Sequence, residues 1–432
     1  MQLPGYLKLL DKRTTINLIL RGLSLTGKFL FVIFLAKHVT TEQLGEWGIF
    51  STSIALSLYL VGLDFYTYST RSILEYPEEE RGALLRNQFV FYIISYIILF
   101  PLMSLLFFFG VIEMKFILFF YIILIFEHLA QESYRTFVVF SKPLIANIIL
   151  FLRTGLWAFI LVLLWSAGYD NFKPLKIIFL FWTSGGIMAM TVSIYFFSKF
   201  KFKSFKNIPI DWQWIRRGVK VSLLFFVGTI AFKLIDFADR YFIDYYHTKT
   251  DVGIYTFYSS MANLVEIIVH TAVVIVFSPR LIENFHHSNY DYRITQSKFT
   301  KQMALFTVLA AILLLIIIYP IILFLDKNEF LQQFDAFIIL VIAEMIFNAT
   351  LIFHYILYVR KHDIAIVKAT VAAAVFNILL NFILIPQFSI LGAAIASALS
   401  FFLLLLGKMY YSREFPEARR IIFLKFRKRK SN

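Results

Sequence analysis

Twelve apolar runs, each about as long as a bilayer is thick, leave this chain few ways to fold. They cover 14–36, 47–70, 87–110, 115–138, 143–167, 175–198, 218–243, 252–278, 301–325, 334–359, 364–386 and 390–411. A helix needs roughly 20 apolar residues to cross the hydrocarbon core. No water is present there to satisfy backbone N–H and C=O groups, so each run is expected to be a helix. The expected fold class is an all-α integral membrane protein with twelve transmembrane helices. Composition agrees: 16% of residues are charged, against about 25% in a soluble domain. The first run follows Lys8, Lys12 and Arg13, as a signal peptide would. It is too long and lacks a small-residue cleavage site, so it is expected to remain as the first helix.

Charge fixes the expected orientation. With both termini in the cytoplasm, thirty Lys and Arg residues fall on the inner side. Six fall outside: Lys37, Lys115, Lys173, Lys176, Lys249 and Lys327. That asymmetry is the positive-inside pattern. It accounts for most of the net charge of +15 without a nucleic-acid partner. The outer links are short and leave no room for an extramembrane catalytic domain, so no enzyme activity is expected. The chain has no cysteine, which excludes disulfides and thiolate metal sites. Neither an HExxH nor a P-loop motif occurs, and His286-His287 has no partner at ligand spacing. No catalytic residue, metal site or cofactor is therefore expected. The longest inner links are 199–217 and 279–300. The first divides the chain into an N-terminal six-helix lobe, 1–198, a cytoplasmic linker, 199–217, and a C-terminal six-helix lobe, 218–411. A basic cytoplasmic tail, 412–432, follows.

The two lobes carry a faint internal repeat. Leu44-Gly45-Glu46-Trp47 aligns with Val252-Gly253-Ile254-Tyr255 at an offset of 208. Each glycine is expected to serve a turn at the outer end of a helix pair. Each aromatic is expected at the membrane interface. At the same offset Lys28 falls on Asp236, one helical turn from Lys233; at 217, Glu127 falls on Glu344. An even number of spans separates each pair, so the halves have the same orientation. Parallel repeats of this kind imply two six-helix lobes around a central cavity.

Asp239-Arg240-Tyr241 with Val252-Gly253-Ile254-Tyr255 resembles the polysaccharide flippases (O-antigen or capsule repeat-unit type) of the MOP, multidrug/oligosaccharidyl-lipid/polysaccharide, exporter superfamily. Glu42-Gln43-Leu44-Gly45-Glu46-Trp47 is similar to the loop after the family's first helix. Asn377-Ile378-Leu379-Leu380-Asn381 with Ile385-Pro386 resembles its eleventh helix, and Leu391-Gly392-Ala393-Ala394-Ile395-Ala396 the start of its twelfth. One departure is Phe388-Ser389-Ile390, where the family often has an aromatic-Gly pair. The resemblance implies a multi-pass protein of the bacterial cytoplasmic membrane with cytoplasmic termini. It implies translocation of undecaprenyl-pyrophosphate-linked oligosaccharide to the outer leaflet by alternating access, for surface polysaccharide assembly. Membrane lipids and other polysaccharide-assembly proteins would be the partners. The alternative within the superfamily is a cation-coupled multidrug exporter. A membrane-bound polymerase or ligase ranks below both, because no outer link is long enough.

The residues themselves support a second reading of the eleventh and twelfth spans. Ala365, Ala369, Ala373, Asn377 and Asn381 form a small, polar stripe spaced by four. Such stripes let helices approach closely, and a structural seam is the expected role.

A charge in hydrocarbon is costly unless paired or wetted, so the intramembrane charges are the candidate site. The cations are Arg21, Lys28, Arg153, Lys233, Arg240 and Lys368. Arg240 and Lys368 lie near span ends, where they are expected to snorkel. Lys28, Arg153 and Lys233 lie near mid-bilayer. With Arg21 guiding the substrate from the cytoplasm, they are the candidate ligands for a pyrophosphate or acidic sugar. Lys28 and Arg153 have no acid nearby on their own helices. Lys233 has Asp236 three residues on, so an internal pair and a substrate site both stand for it. Asp64, Glu127, Glu266 and Glu344 are candidates for H+ or Na+ coupling. His128, Glu132 and Arg135 share one helix face and admit two readings, a proton relay or a self-neutralised network.

Overall fold

A computed structural model describes residues 12–202 and 208–422. The described residues are helical, with no strand among them. Eleven continuous elements are long and apolar enough to cross a membrane. The last, Asp363–Ser412, is two helices meeting at Ser389, where φ is 48° and ψ is −127°. Twelve spans therefore result. We number them α1 (Lys12–His38), α2 (Thr41–Gly62), α3 (Arg81–Met103), α4 (Ile117–Val139), α5 (Pro143–Ser166) and α6 (Leu175–Phe197). The remainder are α7 (Trp212–Tyr246), α8 (Lys249–His287), α9 (Asn289–Leu325), α10 (Phe334–Tyr358), α11 (363–388) and α12 (390–412).

Two compact units divide between Thr229 and Ile230, part-way along α7. The expected inner links are partly helical. Trp212–Tyr246 takes up the end of 199–217, and α8 and α9 extend through 279–300 with a break only at Ser288. Apolar side chains draw these extensions inward: Trp214 is buried against Phe65 and Tyr68, and Leu281, Tyr292 and Phe299 form one cluster with Ile356. Pro416–Ile422 is a short helix whose Ala418 is fully buried and whose Glu417 accepts from Arg360 at 2.8 Å. Lys425 to Lys430 lie outside the described residues, as do Lys8, Lys203 and Lys206. Lys408, counted with the tail in the charge pattern, is instead buried in α12, with its ammonium 3.3 Å from Thr350 Oγ1.

The repeat has a physical basis different from the expected one. Gly45 and Gly253 are not turn residues. Both lie inside helices and neither has a positive φ. The start signal is the threonine five residues earlier. Thr40 accepts from the Gln43 N–H at 3.1 Å, and Thr248 from the Asp251 N–H at 3.2 Å; each forms a reciprocal capping box. Thr40 and Thr248 are themselves 208 residues apart. Such a cap contributes about 1 kcal/mol and fixes where the helix begins. The aromatics that follow are core residues: Trp47 and Tyr255 are buried.

Irregularity also repeats. Leu63 and Asp64 leave α2 with φ of 45° and 50°. At the same offset, α8 contains a π-helical turn, His270–Val274. Each second span is thus interrupted at one register, where the i→i−4 ladder cannot continue unaltered.

The α11–α12 seam forms as the small-residue stripe implies. Ala369, Ala373, Asn377 and Asn381 are buried. A side chain at Gly392 would collide with the Leu384 carbonyl, so only glycine allows this approach. Three residues earlier, Ser389 occupies a backbone region that strongly favours glycine. The departure from the aromatic-Gly pattern therefore falls on a strained residue, at a cost of about 1–3 kcal/mol. We predict that Ser389→Gly stabilises the protein by about 1 kcal/mol, read as a higher unfolding midpoint in detergent. An unchanged or lower midpoint would show that Ser389 is not strained.

Candidate functional site

The charged residues gather in three places, two in the N-terminal unit and one in the C-terminal unit. The first is where α1, α4, α5 and α6 meet. Two glycines bring α1 against α5: a side chain at Gly27 would lie 3.1 Å from the Gly155 carbonyl, and one at Gly155 would lie 3.1 Å from Ser24 Cα. Gly155 belongs to a π-helical turn, Leu152–Leu156, and so does Arg153. The wider turn presents the Arg153 guanidinium to α4. There Nη1 donates to the Glu127 carbonyl at 3.2 Å and to Gln131 Oε1 at 3.3 Å, while Nε lies 3.4 Å from Glu127 Oε2. Trp182 of α6 donates to the other Glu127 oxygen at 2.7 Å. Lys28, on an exposed part of α1, has Arg153 and Glu127 as its charged neighbours.

Arg153 therefore does have an acid, supplied by another helix. Two residues assigned separately by sequence, one to substrate and one to coupling, are partners. The cluster still holds two cations against one carboxylate. Arg21, one face-repeat before Lys28, is half-buried and makes no hydrogen bond or ion pair among the described residues.

The second cluster lies in the same unit, around α3 and α4. Glu132 pairs with Arg135 and accepts from Tyr92 Oη at 2.6 Å and from Gln88 Nε2 at 3.1 Å. Arg135 sits 3.6 Å above the Tyr66 ring. Asp64, buried at the break after α2, has Thr229, Arg135 and Glu132 as its polar neighbours. His128 Nδ1 meets Tyr96 Oη at 2.7 Å rather than Glu132. The geometry favours a neutralising network over a relay along one helix face. Asp64 and Glu127, both proposed for coupling, are not brought together.

The third cluster is in the C-terminal unit. Lys233 pairs with Asp236 at 2.7 Å, as their spacing allows. Arg240 does not snorkel. It is buried, donating to the Asp236 carbonyl at 2.9 Å and to Ser259 Oγ at 2.6 Å, beside the Phe237 and Tyr255 rings. Lys233, Asp236 and Arg240 line a cavity of about 320 Å³ together with Asn263, Glu266 and Glu344. Glu266 and Glu344, far apart in sequence, thus face one space.

Behind this cavity, Asp239 joins four helices. Its carboxylate is fully buried and accepts from Tyr255 Oη of α8, from Asn381 Nδ2 of α11 at 2.6 Å and from Ser397 Oγ of α12 at 2.6 Å. The C-terminal stretches that carry the family resemblance converge on this one side chain. Sequence placed Asp239 among the charges but did not reveal its partners, because they lie up to 158 positions away.

No family model matches the chain, and no curated protein matches it. Solved structures do. A multidrug resistance MATE family transporter of the MOP superfamily, in an inward-facing conformation, is 10% identical, with a TM-score of 0.70. The match covers 96% of this chain and 99% of that one. The lipid II flippase MurJ, in an inward closed conformation, is 15% identical, also with a TM-score of 0.70. That match covers 94% of this chain and 90% of MurJ. The chain shares the fold of these two proteins over nearly its whole length.

Removing the Asp239 carboxylate strands three buried donors. We predict that Asp239→Ala lowers stability by about 3 kcal/mol or more, and Ser397→Ala by about half as much. Thermal unfolding in detergent measures both. Equal, small losses would show that the four-helix junction does not depend on the charge.

Proposed function

We propose that this protein is a flippase for an undecaprenyl-pyrophosphate-linked oligosaccharide, acting in a bacterial cytoplasmic membrane with both termini in the cytoplasm. The observation that carries the reading is the Lys28–Arg153–Glu127 cluster. It has one cation more than its own carboxylate neutralises, held at mid-span by a π-helical turn. A pyrophosphate crossing the membrane loses hydration and needs charge-assisted donors in its place. Arg supplies a planar fork for phosphate, and Lys a mobile point charge. Lys28 lies on an exposed part of its helix, and Arg153 is set by Glu127, Gln131 and Trp182. Arg21 lies seven residues nearer the cytoplasmic end on the same face, in position to guide the head group inward. The fold shared with a lipid II flippase supports a lipid-linked substrate of this kind.

The lobes proposed from sequence, 1–198 and 218–411 joined by 199–217, would expose the site alternately to the two sides by rocking. Lys233 belongs to a different constellation in this reading, since Asp236 already engages it.

One observation favours the superfamily alternative, a cation-coupled multidrug exporter. Glu266 and Glu344 face a single cavity, and carboxylates there suit a cationic cargo or coupling ion. The transporter fold shared with a MATE protein is equally compatible with that activity.

Reconstituted proteoliposomes carrying a fluorescent undecaprenyl-pyrophosphate oligosaccharide separate the two. Lys28→Ala should slow translocation about tenfold or more, the loss of one charge-assisted hydrogen bond of about 1.5–3 kcal/mol, with membrane insertion intact. Normal translocation by Lys28→Ala would remove the cluster from the mechanism. Export of tetraphenylphosphonium without glycolipid translocation would establish the alternative.

A further inference from the structure

The first turns of α7, at its inner end in the proposed orientation, are fixed to the N-terminal unit along one face. Trp214 and Ile215 are buried in the cluster around Phe65 and Phe91. Trp214 Nε1 donates to Ser72 Oγ at 2.8 Å, and Asp211 caps the helix by accepting from the Trp214 backbone N–H at 2.8 Å. Gly218 lets the helix close on the Phe65 and Tyr68 rings, where a side chain would collide. Arg86 of α3 holds the residues just before, donating to the carbonyls of Ile208 at 2.8 Å and Pro209 at 3.0 Å.

The opposite face of these turns carries cations that nothing answers. Arg216, Arg217 and Lys220 are exposed, and none makes a hydrogen bond or ion pair among the described residues. Helical rise sets the three within about 6 Å of one another along the axis. No acidic residue occurs from Trp212 to Ile235. The same face continues as an aliphatic row, with Val221, Leu224 and Val227 exposed in turn. Trp212 is exposed at the start, as aromatics at a membrane surface are. Orientation by charge asks for cations in the inner links. It does not ask that they share a face with an exposed aliphatic row, or that they lack acids.

A lipid with an anionic head has the same order of polarity along the same direction. Its head lies at the inner surface and its tail runs toward mid-bilayer. A phosphodiester head offers a single charge, whereas a pyrophosphate diester offers one on each of its linked phosphates. Guanidinium groups engage such oxygens through planar forks, and Lys220 adds a point charge one turn away. Three cations exceed what one phosphodiester neutralises and suit the paired group. We propose that Arg216, Arg217 and Lys220, with the aliphatic row beyond them, form a docking surface for a pyrophosphate-linked lipid of the inner leaflet. The surface engages the lipid ahead of the Lys28 cluster. The proposal rests on the flippase reading and adds to it a site of first contact.

The chain has no cysteine, so one can be introduced for labelling. Full-length protein with Leu224→Cys carrying a benzophenone is irradiated in phosphatidylcholine nanodiscs that hold radiolabelled undecaprenyl pyrophosphate. Ile93→Cys, equally far along α3 and also exposed, is the reference. The label at 224 should capture at least about fivefold more lipid than the label at 93. Arg216→Gln with Arg217→Gln, at exposed positions, should cut that capture about tenfold or more, and by the same factor in a Lys28→Ala background. Unlabelled undecaprenyl pyrophosphate should compete, and phosphatidylglycerol at the same mole fraction should not. Equal competition by phosphatidylglycerol would overturn the proposal in favour of a general contact with anionic lipid. Capture indifferent to the two substitutions would also overturn it. Absent capture in a protein that still translocates the lipid-linked oligosaccharide would overturn the docking surface and leave the flippase reading standing. Absence of both capture and translocation would overturn both.

Discussion

A carboxylate buried among membrane-spanning helices must be answered by protein, because no water is there to answer it. Asp239 is the place where this constraint organises the C-terminal unit. Three donors from three other helices meet it, and each belongs to a helix that must be at the right height and rotation for the contact to form. The junction therefore fixes α7, α8, α11 and α12 relative to one another more narrowly than packing alone would. Arg240 follows at the next residue and turns the other way, into the cavity. The position of that cavity is a consequence of how Asp239 is satisfied.

In the N-terminal unit the same demand is met by pairing across helices. Arg153 reaches Glu127 only because the π-helical turn in α5 rotates it toward α4, and because Gly27 and Gly155 let α1 come close. The result is a partial neutralisation. Glu127 and Trp182 hold the guanidinium in place, and Lys28 supplies the uncompensated charge. The cluster around Glu132 shows the contrasting outcome. Tyr92, Gln88 and Arg135 answer that carboxylate, and its role is to close the helix junction.

Much of this was legible from residues alone. The apolar runs gave the number of spans, because backbone satisfaction in lipid leaves no alternative to helices. The i,i+3 spacing of Lys233 and Asp236 admitted their pair beside a substrate role, and the four-residue stripe gave the α11–α12 seam. What could not be read was any contact between helices distant in sequence. The acid beside Arg153, the partners of Asp239 and the shared space of Glu266 and Glu344 all depend on how the helices pack. The π-helical turns were hidden for another reason: no composition signal marks a single extra residue in a helix. The depth of Arg240 suggests an escape to water, whereas a carbonyl, Ser259 and two aromatic rings make burial possible. Gly45 and Gly253 were conspicuous, but Thr40 and Thr248 set the helix starts.

The repeat places different chemistry at one pair of equivalent positions. Asp239 and Tyr255 in the second lobe correspond, 208 residues earlier, to Phe31 and Trp47. The latter two rings touch edge to face at 5.2 Å. Dispersion contacts weaken gradually as atoms slide apart, whereas a buried charge with its donors is either met or not. As temperature rises, the first lobe should therefore soften progressively at this joint, while the second should hold rigid and then give way abruptly.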